Sequence, residues 1–295
     1  ESPTVKSYVH TYYSMSCMLF QFAKEKFVQI DWCDPYELET LVADSFLVDE
    51  GKIIALEKHL QRFRNSVENF TEVDTQKLDN FEQTLPSMLP REGSWFPRIE
   101  AVKTKNGTAL RYRQRPTPKV GAGGGGEIVV SRAPRDPRKS PSIKGPDLAE
   151  LMRLRRDVAK LGADEAIITT GQDLLVEGAY SSLAVWLAGS NELTMIPDHT
   201  VHLPGVTEAV IQELAEMQGV SVKKMDLFVS DLKDAEVWIL SSLHGVRVAQ
   251  TFIDGPQLNI VNGRRELWQN LWKSCAETPP TNLSGLRESR IDFEA

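Results

Sequence analysis

Lys144 closes a loop rich in proline and arginine, RAPRDPRKSPSIK, and stands a few residues before a helical stretch. A lone lysine is mostly a surface charge; a buried one loses its proton readily and becomes a nucleophile or base. Glu177 falls in a strand-like run between Val176 and Gly178-Ala179. A carboxylate with such small and apolar neighbours either faces solvent or is held by a cation. Leu203-Pro204-Gly205-Val206-Thr207 is a tight turn opening directly into a helix. The free N–H groups and positive end of that helix suit a phosphate, to which Thr207 adds a hydroxyl; a turn with an ordinary Thr N-cap accounts for the same residues.

Charge is uneven along the chain. The net charge is −7, yet from Arg98 to Lys144 twelve Lys/Arg stand against three Asp/Glu. A basic region inside an acidic protein suits a small anionic ligand or a solvated surface, and the overall sign argues against a nucleic-acid coat. The segment ALRYRQR (Ala109–Arg115) sharpens this, because a strand puts Arg111, Arg113 and Arg115 on one face. Three guanidiniums there repel unless water or an anion separates them, so a ligand carboxylate and a solvated edge are both open.

The elements that carry these residues form a mixed pattern. The 295 residues, 41% hydrophobic and 25% charged, suit two domains, since single cores stop growing near about 250–300 residues. RPTPKVGAGGGG (Arg115–Gly126) reads as their connection. No Gly-Lys-Ser/Thr follows the glycines, and EIVVS reads as a strand, so a nucleotide loop is disfavoured. The expected division is 1–118, a linker at 119–126, and 127–295. Leu38–Val48 and Gly51–Leu56 read as strands around a turn at Asp49-Glu50-Gly51. Lys58–Phe70 reads as a helix on the spacing of Leu60, Phe63, Val67 and Phe70. Beyond the linker, Asp147–Leu161 is a helix with Leu148, Leu151, Met152, Arg155, Val158 and Ala159 along one side, closed by Gly162. Asp164–Thr169, Leu174–Leu187, Leu193–Ile196 and Val237–Leu240 read as strands. Thr207–Gln218 is a second helix, apolar at Val210, Ile211, Leu214, Ala215 and Met217. Without regular alternation, the class is α+β.

No apolar stretch approaches the ~18 residues of a membrane helix. Ser14–Ala23 is short, lacks a cleavage pattern and reads as a buried helix or strand. Cys17, Cys33 and Cys275 are too far apart for a CxxC metal site and odd in number, which points to a reducing compartment and a cytoplasmic enzyme with no metal.

Six segments, in order, resemble the class-IV (fold-type IV) pyridoxal-phosphate enzymes: HLQRF (His59–Phe63), IKGPDL (Ile143–Leu148), GADEAII (Gly162–Ile168), VEGAYSSL (Val176–Leu183), LPGVT (Leu203–Thr207) and EVWILSSLHGVR (Glu236–Arg247). That family includes branched-chain and D-amino acid aminotransferases and 4-amino-4-deoxychorismate lyase. The likeness runs from about Leu38 to Gly255, and the Lys144 to Glu177 spacing, 177 − 144 = 33 residues, is similar to the family's. It implies a small N-terminal α/β domain, a larger mixed C-terminal domain and a homodimer. It also implies pyridoxal phosphate as a Schiff base on Lys144, which then shuttles protons, with Glu177 holding the pyridine nitrogen protonated. The phosphate is expected on the amides of Val206 and Thr207 after Gly205, closed in by Arg62, Ser241 and Ser242. Arg113, Arg115, His244 and Arg247 are the expected contacts of a small anionic amine substrate, with Ser45 as a further hydroxyl.

The departures from aminotransferase patterns lean to the lyase branch. Where aminotransferases carry a Gly-Thr-Ala-Ala type sequence, this chain has Ser241-Ser242-Leu243-His244-Gly245-Val246-Arg247, closer to the Asn-Ser/Ala-Leu, basic residue, Gly, Arg of the lyases. Asp147 stands where lyases often have Asn, Ala149 where many branched-chain enzymes have Tyr, and Ser182 where the family's EGxxSN stretch has Asn. The lyase reaction makes 4-aminobenzoate and pyruvate; the alternative is aminotransfer on D- or branched-chain amino acids. A non-catalytic relative would not be expected to keep both Lys144 and Glu177.

Overall fold

The computed structural model describes residues 17–30, 37–118 and 126–280. The N-terminal part runs β1 (Met18–Ala23), β2 (Lys26–Ile30), β3 (Glu37–Ser45), β4 (Val48–Asp49), β5 (Ile53–Ile54), α1 (Leu56–Phe70), α2 (Thr75–Thr84), β6 (Ser94–Trp95), β7 (Arg98–Thr104) and β8 (Gly107–Gln114). The remainder runs β9 (Glu127–Arg132), α3 (Leu148–Ala159), β10 (Glu165–Thr169), β11 (Leu175–Gly178), β12 (Ser182–Trp186), β13 (Leu193–Met195), α4 (Val206–Met217), β14 (Val222–Lys224), β15 (Glu236–Ser241), β16 (Gly245–Ile253), α5 (Arg264–Ser274) and β17 (Ala276–Glu277).

The strands form two main sheets, each drawn from one side of residues 119–125. An antiparallel five-stranded sheet has the order β2-β1-β8-β7-β3, and an eight-stranded mixed sheet the order β11-β10-β9-β16-β15-β12-β13-β14. In the second, β9 runs parallel to both β10 and β16 while the rest of the centre is antiparallel. The class is α+β. The first sheet is covered by α1, whose Leu60, Phe63 and Val67 meet Phe81 of α2 and Phe22, Ile99 and Tyr112 of the strands. The larger sheet is covered on both faces. Trp238, Trp186 and Met195 pack under α4 and α5, while Val185, Val237 and Ile239 face a separate core. Burial on both faces accounts for the near-continuous apolar runs of β12 and β15. The last described strand crosses back, since β17 pairs with β5 of the N-terminal part.

Several sequence expectations need correction. Leu174–Leu187 is two strands: Gly178 and Ser181 close a turn on each other's backbone, and a Cβ on Gly178 would meet Ser181 Oγ at 2.0 Å. Leu38–Val48 breaks after Ser45 because β3 pairs with β7 whereas β4 pairs with β6. The buried stripe of α3 is Leu151, Leu154 and Val158, facing β10, and Met152 and Ala159 point outward. Met217, at the end of α4, is likewise exposed. The start of α4 is capped by Gly205 rather than by Thr207. Of Ser14–Ala23, the described part is β1; Cys33 and all of the glycine linker except Gly126 lie outside the described residues. No helix among the described residues is long and apolar enough to cross a membrane.

Candidate active site

Lys144 reaches the site because its loop lies directly on β3. Its carbonyl accepts a hydrogen bond from the Ala43 amide at 2.6 Å, and Gly145, at φ +143°, sits where a Cβ would be 2.9 Å from Val42 Cα and Ala43 N. Only glycine allows that approach. Asp147, buried, folds the loop by accepting from the amides of Lys139 and Ser140 at 2.9 and 2.8 Å. The Lys144 amine is thus carried to the wall of a cleft also lined by Arg62, Glu177, Thr207 and Ser242. Burial, then the nearby Arg62, lower its pKa to about 8, with Asp44 and Glu177 partly offsetting.

Glu177, on β11, closes the far side. Arg138 of the lysine loop hydrogen-bonds one carboxylate oxygen, and the Leu203 amide donates to the other at 3.3 Å. Burial raises its pKa to about 7 against the pull of Arg138. The carboxylate is therefore held by a cation, the second of the two readings its neighbours allowed.

The first turn of α4 forms a cradle beside them. Gly205 caps the helix without a side-chain bond, a Cβ there would lie 2.2 Å from Ser182 Oγ, and Gly205, Val206 and Thr207 line the cleft. Arg62 stands at the same end. Its Nη1 donates to the Pro204 carbonyl at 2.9 Å, and its Nε and Nη2 fork onto Asp44 at 2.8 and 2.9 Å. Asp44 in turn lies 2.8 Å from His59 Nδ1. Burial would raise the Asp44 pKa, but Arg62 and His59 outweigh it and hold the carboxyl well below the usual range. A reactive amine, a carboxylate opposite, and a glycine-capped helix start with an arginine fit pyridoxal phosphate. Among the described residues no acid, histidine or cysteine cluster could hold a metal.

The cleft opens past Lys144, Tyr180 and Ser241 into a chamber of about 530 Å³. Arg115 enters from the end of β8, its Nη2 donating to Ser45 Oγ at 3.2 Å and its Nε to the Phe96 carbonyl at 3.1 Å. Burial, and then Arg98, push its pKa down to about 10. Arg247 and His244 face the chamber from the other wall. Burial, then Arg247, lower His244 to about 4, so it is neutral at pH 7. The anion nearest Arg247 is Glu165, 4.0 Å away, which also stands 3.7 Å from Arg155; neither separation is a hydrogen bond. Burial lowers the Arg247 pKa, with Glu165 partly offsetting it.

Lys144, Glu177, Arg62, Gly205, Val206, Thr207, Ser241 and Ser242 thus converge on one cleft, and Arg115, His244, Arg247 and Ser45 on the adjoining chamber. Arg113 does not join them. It lies opposite Arg98 in the β7–β8 register and is bound to Glu100 at 3.2 Å, so the anion among the strand arginines is a protein carboxylate. Burial raises the Glu100 pKa, but Arg98 and Arg113 overcome it and leave it lowered. The sequence reading missed Asp44, Arg138, Arg155, Glu165 and Tyr180 as site residues. Asp44 could have been suspected as an acid inside the apolar strand run before His59 and Arg62; Arg138 was one of several loop arginines with nothing to single it out.

The Amino-transferase class IV family profile matches residues 41–251. No curated protein matches the chain in sequence. The fold is similar to that of a hypothetical aminotransferase from Mycobacterium tuberculosis, 20% identical, covering 88% of this chain and 98% of that one with a TM-score of 0.72. It is also similar to the branched-chain amino acid aminotransferase from Escherichia coli, 16% identical, covering 87% and 93% with a TM-score of 0.73. A third likeness is to the fold IV-transaminase CpuTA1 from Curtobacterium pusillum, 17% identical, covering 87% and 97% with a TM-score of 0.72. With the profile spanning most of the chain and the cleft suited to the cofactor, the protein belongs to the amino-transferase class IV family of pyridoxal-phosphate-dependent enzymes.

Proposed function

We propose that this enzyme is a lyase that converts 4-amino-4-deoxychorismate to 4-aminobenzoate and pyruvate. The observation that carries this reading is the chamber beside Lys144, where Arg115 and Arg247 face in from different strands, both with pKa values depressed by burial. Buried guanidiniums so poorly neutralised call for anions, and a substrate with two carboxylates supplies one to each wall.

When bound, pyridoxal phosphate supplies the electron sink that stabilises negative charge on the carbon bearing the substrate amine. The amides of Val206 and Thr207, Arg62 and Ser242 would hold its phosphate, and Glu177 would keep its ring nitrogen protonated. Arg115 and Arg247 orient the substrate, and neutral His244 offers a hydrogen bond without adding charge. Lys144, with a pKa near the working pH, takes the proton from that ring carbon. The C–O bond between the ring and the enolpyruvyl group then breaks, the ring becomes aromatic, and Lys144 returns its proton to the methylene carbon of the departing enolpyruvate, giving pyruvate. The family likeness supports a homodimer with the two sheet units, 1–118 and 127–295, flanking each site, and the unpaired Cys17 and Cys275 suit a cytoplasmic enzyme.

A second reading, aminotransfer on D- or branched-chain amino acids, is favoured by the family description and by the aminotransferases that share the fold. Incubation of the yellow holoenzyme with aminodeoxychorismate and no keto acid separates the two. Formation of 4-aminobenzoate supports the lyase. Bleaching of the visible band by an amino acid, restored by a keto acid, with no 4-aminobenzoate formed, overturns it.

A further inference from the structure

Arg155 of α3, Glu165 of β10 and Arg247 of β16 meet on one wall of the chamber, and the chemistry above uses only Arg247. Arg155 Nε stands 3.7 Å and Arg247 Nη2 4.0 Å from the Glu165 carboxylate, which hydrogen-bonds neither. Burial raises the Glu165 pKa against the pull of Arg155 and Arg247, so this acid offsets at most one of the two positive charges. His244 is neutral at pH 7, and the chamber's other acid, Glu39, is exposed. At least one guanidinium charge is left over at this wall. Arg247 beside an ionised Glu165 would be a neutral pair; Arg155 makes the wall cationic.

Arg155 is also held in place. Its Nη2 donates to the Asp164 carbonyl at 3.0 Å, and its guanidinium carbon lies 5.1 Å from the ring centroid of Tyr180, within cation–π range. The Tyr180 hydroxyl donates to the Leu148 carbonyl at 3.2 Å, which fixes the ring. That ring borders both the cofactor cleft and the chamber. Arg247 is 9% exposed, and its guanidinium has no hydrogen bond among the described residues. Nε of both arginines is fully buried, so a ligand meets their terminal nitrogens.

We infer that Arg155 is a specificity-determining residue, which with Arg247 takes the second carboxylate of the substrate while Arg115 takes the first. This rests on the reading of the substrate as a dicarboxylate. A carboxylate has about four acceptor sites, enough for both guanidiniums at once. It supplies the counter-charge that Glu165 leaves short, while the bond of Arg155 to Asp164 and its stacking on Tyr180 stay intact. A monoanion satisfies one wall and leaves the other cationic and partly desolvated. The chamber therefore selects for two carboxylates rather than for one.

The probes are isophthalate, with two carboxylates, and benzoate, with one, titrated calorimetrically into the full-length yellow holoenzyme. Isophthalate is expected to bind about tenfold or more tightly than benzoate, the effect of one further charge-assisted contact. Arg155→Met is expected to remove that advantage. Glu165→Gln alters the same buried cluster without removing a cation, and is expected to keep or enlarge it. The visible band shows that each variant is folded and loaded. Equal affinities in the wild type overturn the inference, as does an advantage that survives in Arg155→Met. Loss of the advantage in Glu165→Gln as well as in Arg155→Met also overturns it, because the cluster then serves packing alone. With aminodeoxychorismate, Arg155→Met is expected to raise KM about tenfold with little change in kcat. An enzyme that prefers isophthalate through Arg155 but forms no 4-aminobenzoate refutes the lyase reading and keeps this inference, for another dicarboxylate amine. A lyase whose KM is indifferent to Arg155 does the reverse.

Discussion

Glu177 is bound by Arg138, a residue 39 positions earlier in the chain and on the same loop as Lys144. One loop thereby carries both the cleft amine and the cation that pulls the opposing carboxylate towards its ionised form. Burial raises the Glu177 pKa to about 7, and Arg138 is the largest force acting the other way. Replacing Arg138 by Met should raise it by a further 1–3 units, roughly the effect of one close charge. The expected outcome is that the acid limb of the kcat profile moves up by that amount, with the rate at pH 7 falling about fivefold or more. An unmoved acid limb would show that Arg138 does not govern Glu177.

Lys144 has its pKa lowered to about 8, and only the unprotonated amine condenses with an aldehyde. The rate at which apoprotein gains its visible absorbance from pyridoxal phosphate should therefore rise about tenfold per pH unit below 8 and level off above it. Lys144→Ala should stay folded by circular dichroism and never turn yellow. A rate still climbing at pH 10 would mean that the amine is not in the desolvated site described.

Gly145→Ala tests how the loop is seated. A methyl group there meets the backbone of Val42 and Ala43 at a positive φ. The expected cost is about 1–3 kcal/mol in denaturant unfolding, together with weaker cofactor retention.

Asp44→Asn removes a buried charge shared by Arg62 and His59. An unpaired buried guanidinium costs about 3–5 kcal/mol, which thermal or denaturant unfolding would register. The pH dependence has a definite sign. The folded pKa of Asp44 is depressed, so its contribution is complete above the unfolded value of about 3.9 and is lost as pH falls below it. The wild type should lose stability on acidification through that range more steeply than Asp44→Asn.

Local sequence determined a good deal. Periodicity and glycine punctuation marked α1, α3 and α4, because an amphipathic stripe and its end signals are properties of neighbouring residues. The order of short segments singled out Lys144, Glu177 and the LPGVT turn, which the fold brings to one cleft. Which arginine serves which anion was decided only by the tertiary structure. Arg111, Arg113 and Arg115 look equivalent along the strand, yet Arg113 falls opposite Arg98 and beside Glu100, whereas Arg115 runs past the sheet edge onto Ser45 and the chamber. Likewise Asp44 met His59 and Arg62 through the packing of α1 on β3, Glu165 came near Arg155 of α3 and Arg247 of β16, and Arg138 met Glu177 where the lysine loop lies beside β11. Ion pairing depends on separation in space, and for residues this far apart in sequence the folded chain alone sets that separation.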